Sequence, residues 1–329
     1  MKFLIAGFGS IGRRHLRNLR TLGEKDIVLL RSHKSTLPDD EISGLQVETE
    51  INAALAHRPD AVIISNPTAL HLDVAIPAAK AGCAILMEKP VSHSLEGLEE
   101  FKAAVRTGGA GVLLGYQFRF HPGLRQVKAW LDDGMIGRPL SFRAHWGEYL
   151  PDWHPWEDYR TSYTARQDLG GGVVVTLSHP VDYLRWLLGD VQALWAFSGK
   201  ISDLEVQVED FAEIGMQFQT GATGSLHVDY FQQPPSHSLE ITGTLGRIIW
   251  DNADGRAELF RSETGVWQDV PLPANFDRNN QFLDEMRHFI DVANRKALPV
   301  CSLADGEAAL KICLAVHQSA ASGQLIKSI

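Results

Sequence analysis

Short apolar runs alternate with amphipathic stretches through the first third of the chain. Residues 3–6, 27–30, 61–64, 84–87 and 112–114 are continuous apolar runs of strand length. Between them lie helical patterns. One carries Leu16 and Leu19 and stops at Gly23, one is opened by Thr68 and closed by Gly82, and one is capped by Ser94 with Leu98, Phe101 and Val105 on one face. Strands apolar on both sides and separated by helices imply a parallel sheet covered on both faces. Residues 1–120 are therefore expected to form a doubly wound α/β domain.

The pattern changes at Pro122, which suits a first helical turn and is followed by Leu124, Val127 and Leu131 at helical spacing. A strand over about residues 140–146 leads into an aromatic loop, residues 148–160, and a helix near Gly172. Strands are expected over 194–197, 211–218, 223–230, 238–242 and 246–250. Short turns such as Thr220-Gly221 between them point to antiparallel pairing. Two helices close the chain. The first has Phe282, Met286, Phe289, Ile290 and Ala293 on one face, and the second runs from about Asp305 to a stop at Gly323. Residues 121–329 thus read as an α+β domain on a large, mostly antiparallel open sheet, for substrate binding and oligomerisation. The closing helices are free to pack back on the first domain.

Composition narrows the function classes. Of 329 residues, 44% are hydrophobic and 22% charged, an ordinary globular balance. The net charge of −9 comes with no basic cluster, which argues against nucleic acid. Three cysteines form no disulfide framework, and without CxxC or HExxH spacing no metal is expected. The apolar runs are too short for a membrane helix, and the N-terminal residues lack the features of a signal peptide, so a cytoplasmic protein is expected.

Gly7, Phe8, Gly9, Ser10, Ile11 and Gly12 spell GxGxxG straight after a strand and at the start of a helix. In that context Gly7 permits a tight turn, Gly9 lets backbone approach a pyrophosphate, and Gly12 lets the helix pack close. The helix N-terminus then faces the phosphates. Sites for NAD usually carry an acid at the end of the second strand. Here that strand ends in Arg31-Ser32-His33-Lys34. Arg31 and Ser32 suit a 2′-phosphate, so NADP(H) is favoured; if Arg31 stacks on adenine instead, NAD(H) binds as well. Glu88-Lys89-Pro90 ends a parallel strand on the edge where such folds bind ligands. A desolvated lysine there can relay the alcohol proton of a dehydrogenase, although a surface Lys paired with Glu88 is the plainer reading.

Taken with these motifs, three further segments resemble the glucose–fructose oxidoreductase / inositol dehydrogenase (Gfo/Idh/MocA) family. They are Ser65-Asn66-Pro67-Thr68 with His71, the run from Gly115 to Pro122 that contains Arg119, and Gly170-Gly171-Gly172 followed by His179 and Asp182. The resemblance covers nearly the whole chain. It implies NAD(P)-dependent redox chemistry on sugars, cyclitols or their derivatives. It makes Lys89 the catalytic lysine and His179 a second proton carrier, one on each domain. Ser65, Asn66, Pro67, His71, Glu88 and Lys89 join the cofactor-binding set. The family often carries Asp a turn before the histidine; here Thr176 stands there, and Asp182 is a candidate substitute for its charge.

The aromatic loop, with Trp153, either covers the substrate or packs as a connection. Arg119, Trp153, Tyr163 and Thr176, with Lys89 and His179, form the candidate substrate set. Two rival readings remain. One is an enzyme that recycles bound NAD while cleaving a glycosidic bond. The other is a cofactor-binding protein without turnover, which Thr176 favours. A sheet bearing Phe211, Phe218 and Trp250 needs its second face covered, so a homodimer or homotetramer through it is expected.

Overall fold

A computed structural model describes residues 1–32 and 40–329. It divides into two compact units. Unit 1 comprises residues 1–117, 168–170 and 278–310, and unit 2 residues 118–167, 171–277 and 311–329.

Unit 1 begins with β1 (Lys2–Ala6), α1 (Ser10–Thr21), β2 (Asp26–Leu30), β3 (Gln46–Glu48) and α2 (Ile51–Ala56). It continues with β4 (Ala61–Ile64), α3 (His71–Lys80), β5 (Ala84–Glu88), α4 (Leu98–Gly108) and β6 (Val112–Gly115). Among the described residues the sheet has six strands, all parallel, in the order β3-β2-β1-β4-β5-β6. That is the doubly wound dinucleotide-binding order, with its switch point between β1 and β4. The apolar runs are buried because helices cover both faces: Phe3, Leu4, Ile5, Val62, Ile63, Ile85 and Leu86 are fully enclosed. β3 is short and polar, and α2, at six residues, is too short to show a helical period. The α4 start differs from expectation. Ser94 accepts from Glu96 N in a turn, and α4 begins only after Gly97, which takes a left-handed φ.

Unit 2 opens with α5 (Pro122–Asp132) and β7 (Pro139–Tyr149), then α6 (Val173–Thr176) and α7 (His179–Leu188). Next come β8 (Val191–Gly199), β9 (Phe211–Phe218), β10 (Thr223–Asp229), β11 (Phe231–Gly243), β12 (Gly246–Asp251), β13 (Ala257–Arg261) and β14 (Val266–Val270). After α8 (Arg278–Ala293), which belongs to unit 1, α9 (Leu303–Ser322) and β15 (Ile326–Lys327) close the chain. Among the described residues this sheet has nine strands, ordered β14-β13-β12-β11-β7-β10-β9-β8-β15. All pairs are antiparallel except β7 with β10.

One face of this sheet is covered by α5 and α7 and buries Phe142, Trp146, Phe218, Leu226, Ile241 and Trp250. Phe218 and Trp250 therefore belong to the inner core and not to a face awaiting a partner, as expected above. Side chains alternate along a strand, so the outer face takes the intervening residues. It carries half-buried Phe211 and Phe260 and exposed Trp195, Phe197 and Trp267 among polar groups. No helix among the described residues is long and apolar enough to cross a membrane.

Candidate active site and cofactor-binding edge

The carboxyl edge of the unit 1 sheet gathers most of the sequence-predicted cofactor residues. β1 and β4 are neighbours, so the turn at Gly7 lies against Ser65 and Asn66. Gly7 has φ +93°, and a β-carbon there would stand 2.5 Å from Asn66 N. Only glycine meets both constraints. Its N–H donates to Leu30 O at 2.9 Å, and Ser65 Oγ donates to Gly7 O at 3.0 Å, which fixes the turn. The α1 N-terminus has no side-chain cap and no acid in its first turn, and the side-chain direction of Gly9 is open. Asn66 spends Nδ2 on Leu70 O at 2.9 Å, while its buried Oδ1 has no partner among the described residues. Uncapped N–H groups and an unspent amide acceptor at the switch point fit a dinucleotide: phosphates on Gly7 to Gly12, hydroxyls near Asn66.

Phe8 is buried, with the Arg13 guanidinium 4.5 Å and the Arg31 guanidinium 5.9 Å from its ring centre. Arg31 is itself buried, whereas Ser32 is exposed. His33 and Lys34 lie outside the described residues. Ser10 is exposed; Ile11 and Pro67 are half-buried.

Glu88 and His71 are both held by hydrogen bonds within unit 1. The Glu88 carboxylate meets His15 Nε2 of α1 at 2.8 Å, turned into the unit. Burial works to raise its pKa, but the hydrogen bond and charge of His15 outweigh it and hold the carboxyl below its ordinary value. His71 is enclosed, with Nδ1 2.9 Å from Pro90 O and Nε2 3.0 Å from Asn66 O. Burial pushes its pKa down to about 4, so it is neutral at pH 7 and donates to one of these carbonyls at a time. Its place is to tie the β4 turn to the Lys89-Pro90 segment. Lys89 itself is half-buried at the end of β5.

Behind this edge the sequence reading missed a residue. Glu285 of α8 is enclosed, and neither of its carboxyl oxygens has a hydrogen-bond partner among the described residues. Burial and the Glu88 charge push its pKa well above the usual carboxylate value. Its signal in the sequence is an acid on the apolar face of a helix, between Phe282 and Met286.

In unit 2 the chain at Gly172 makes only a single turn, α6, before α7 starts at His179. The imidazole of His179 is buried against Phe118, with ring centres 5.1 Å apart, and Trp146, at 5.6 Å. Trp146 stacks on His237 at 4.3 Å, and Tyr183 Oη meets His237 Nε2 at 3.2 Å. Phe118 is the hub of this aromatic box.

Arg119 is not a free anion-binding group. Its Nε and one terminal nitrogen bind the two oxygens of Asp182 at 2.9 and 2.7 Å, both side chains being buried. Both oxygens of the Asp182 carboxylate are thereby held by Arg119. Thr176, Trp153 and Tyr163 instead converge on Tyr230, which the sequence reading left unremarked. The Trp153 and Tyr230 ring centres lie 5.5 Å apart, and burial, partly offset by the Thr176 hydroxyl, raises the pKa of the Tyr230 phenol. Trp153 Nε1 is buried without a hydrogen-bond partner among the described residues.

A dinucleotide-binding sheet with a lysine at its carboxyl edge, joined in one chain to a second unit whose α7 opens on a buried histidine, is the architecture of a nicotinamide-dependent oxidoreductase. Residues 1–116 match the model of the oxidoreductase family with an NAD-binding Rossmann fold, and residues 124–249 that of the GFO/IDH/MocA C-terminal domain. The chain belongs to this family. It is 30% identical over 273 residues to a 1,5-anhydro-D-fructose reductase of Ensifer adhaerens, covering 80% of this chain and 78% of that protein. It is 24% identical to a myo-inositol 2-dehydrogenase of Thermotoga maritima, over 99% of this chain and 98% of that one. Among solved structures, a levoglucosan dehydrogenase in complex with NADH shares the fold. The TM-score is 0.88 at 21% identity, covering 99% of this chain and 98% of the other.

Proposed function

We propose that this protein is an NADP(H)-preferring dehydrogenase or reductase of a hydroxyl or ketone carbon in a sugar, a cyclitol or a derivative of one. The observation that carries the reading is Lys89. It closes β5 on the ligand-binding edge, in a segment that His71 holds through Pro90 O, while its neighbour Glu88 turns away to His15. The named relatives act on an anhydro sugar and a cyclitol, which supports the substrate class. The recycling alternative finds no comparable support there. The cofactor takes or gives the hydride. Lys89 and His179 hold and move the proton of the substrate oxygen, and Trp153 Nε1–H, Tyr163 and Thr176 serve substrate hydroxyls. The preference for NADP(H) rests on Arg31 and Ser32 where an acid would bind a ribose hydroxyl. A homodimer or homotetramer through the outer sheet face and a cytoplasmic setting complete the proposal. The cytoplasmic part is supported by Cys83, Cys301 and Cys313, all buried and none in a disulfide.

Steady-state turnover on a sugar and cyclitol panel tests the assignment. Lys89→Met and His179→Ala should each lower kcat by about 10²–10⁴ while cofactor affinity stays near the parent's. Parent-like turnover by Lys89→Met would show the site to be wrongly assigned. Nicotinamide fluorescence titration should find NADPH bound more tightly than NADH, with Arg31→Ala narrowing the gap; equal or tighter NADH binding refutes the preference.

A further inference from the structure

In the unit 2 sheet the parallel pairing of β7 with β10 sets His227 opposite His145, both on the outer face. Their imidazoles stack with centres 4.6 Å apart and planes 2° from parallel. His227 directs Nδ1 to Glu213 Oε2 and Nε2 to Asp229 Oδ2, each at 2.9 Å. His145 Nε2 meets Gln232 Oε1 at 2.5 Å. Gly147 completes the arrangement: a β-carbon there would collide with both Asp229 Oδ2 and Gln232 Oε1, so the missing side chain lets these oxygens converge. One coordinating atom each from His145, His227 and Asp229 lies within 4.8 Å of the other two.

We propose that this cluster is a binding site for a borderline divalent cation of the Zn²⁺ type. Nε2 of His145, Nε2 of His227 and Oδ2 of Asp229 are its ligands, and Gln232 Oε1 is the fourth. Two imidazole nitrogens with a carboxylate and an amide oxygen suit zinc better than Mg²⁺, which demands an octahedron of oxygens. The groups behind the ligands are also in place. Glu213 accepts from Nδ1 of His227, which leaves Nε2 as the donor atom and fixes the ring, as carboxylates do behind metal-bound histidines. Oδ1 of Asp229 accepts from Phe231 N at 2.8 Å and Gln232 N at 2.7 Å, so Oδ2 is held toward the histidines. The two imidazoles are half-buried, which leaves a path for the ion. Along the strand, His145 points outward while its neighbour Trp146 points to the aromatic box around Phe118. The site is therefore on the opposite face of the sheet from His179. Motif spacing, which led to an expectation of no metal, is blind to a cluster made by strand register.

Calorimetric titration of the chelator-treated full-length protein with zinc chloride, and separately with magnesium chloride, tests this. We expect one Zn²⁺ per chain, and Mg²⁺ at least 100-fold weaker. His145→Ala and His227→Gln should each weaken Zn²⁺ binding by 100-fold or more, and Glu213→Gln by about 10–100-fold. Asp229 is left intact because its backbone hydrogen bonds support the turn after β10. Should His227→Gln lose the parent's circular dichroism, His145→Ala carries the comparison. Substoichiometric zinc, tighter Mg²⁺, or Zn²⁺ binding unchanged in His145→Ala would overturn the proposal.

Discussion

Arg119→Met keeps most of the side-chain volume but strands Asp182 as an uncompensated buried charge. Loss of one partner from such a pair costs about 3–5 kcal/mol. Thermal unfolding should therefore show a marked fall in stability, at any substrate concentration. A change in substrate KM with unaltered stability would restore Arg119 to the substrate set. Single residues were legible in the sequence where chemistry and spacing coincide along the chain, as in Gly7 to Gly12 and Glu88-Lys89-Pro90. They were not legible where a partner comes from elsewhere in the fold. Asp182 is three residues from His179 yet binds Arg119, and Glu88 is next to Lys89 yet binds His15. Side-chain direction decided both cases, and neighbourhood in sequence does not carry it.

At the scale of elements, strands and helices with strong apolar periodicity were foreseen, among them β1, β2, β4, β5 and β6 of the first sheet and α8 and α9 at the end of the chain. Missed were β3 and β14, whose polar or exposed residues lack a buried face, β13, which buries only Ala257 and Leu259, and β15, which is two residues long. The start of α5 shows how one element ties packing to pH. His121 is its N-cap, with Nδ1 accepting from Gly123 N at 3.1 Å, and burial pushes its pKa down to about 4. In the unfolded chain the ring takes up a proton below about pH 6.5, which the folded state resists until about pH 4. Stability is thus lost as pH falls through that window, by about 2–3 kcal/mol at pH 4.5 for this group. His121→Asn retains a good cap and removes the titration. Urea unfolding should show the variant losing less stability than the parent between pH 6.5 and 4.5. An equally steep fall in both would assign the acid sensitivity to other groups.

For the molecule as a whole, the proposed assembly runs through the outer sheet face. Phe197 is 69% exposed there, Trp195 44% and Trp267 45%, an apolar load that a monomer rarely leaves to solvent. Light scattering at micromolar concentration should return at least twice the 36.4 kDa chain mass, and Phe197→Glu should shift it toward the single chain. A parent mass equal to one chain would refute the assembly. Connectivity has a further consequence, for synthesis. The last strand of the six-stranded sheet is finished at Gly115, but α8, which packs on α1, β5 and β6, leaves the ribosome only after all of β7 to β14. Until then α1, β5 and β6 of the first unit lack the helix that carries Phe282, Met286 and Phe289. The nascent N-terminal third is thus an open half-product with apolar surface exposed, and the order of translation, rather than the strength of the finished core, sets how long it must be shielded.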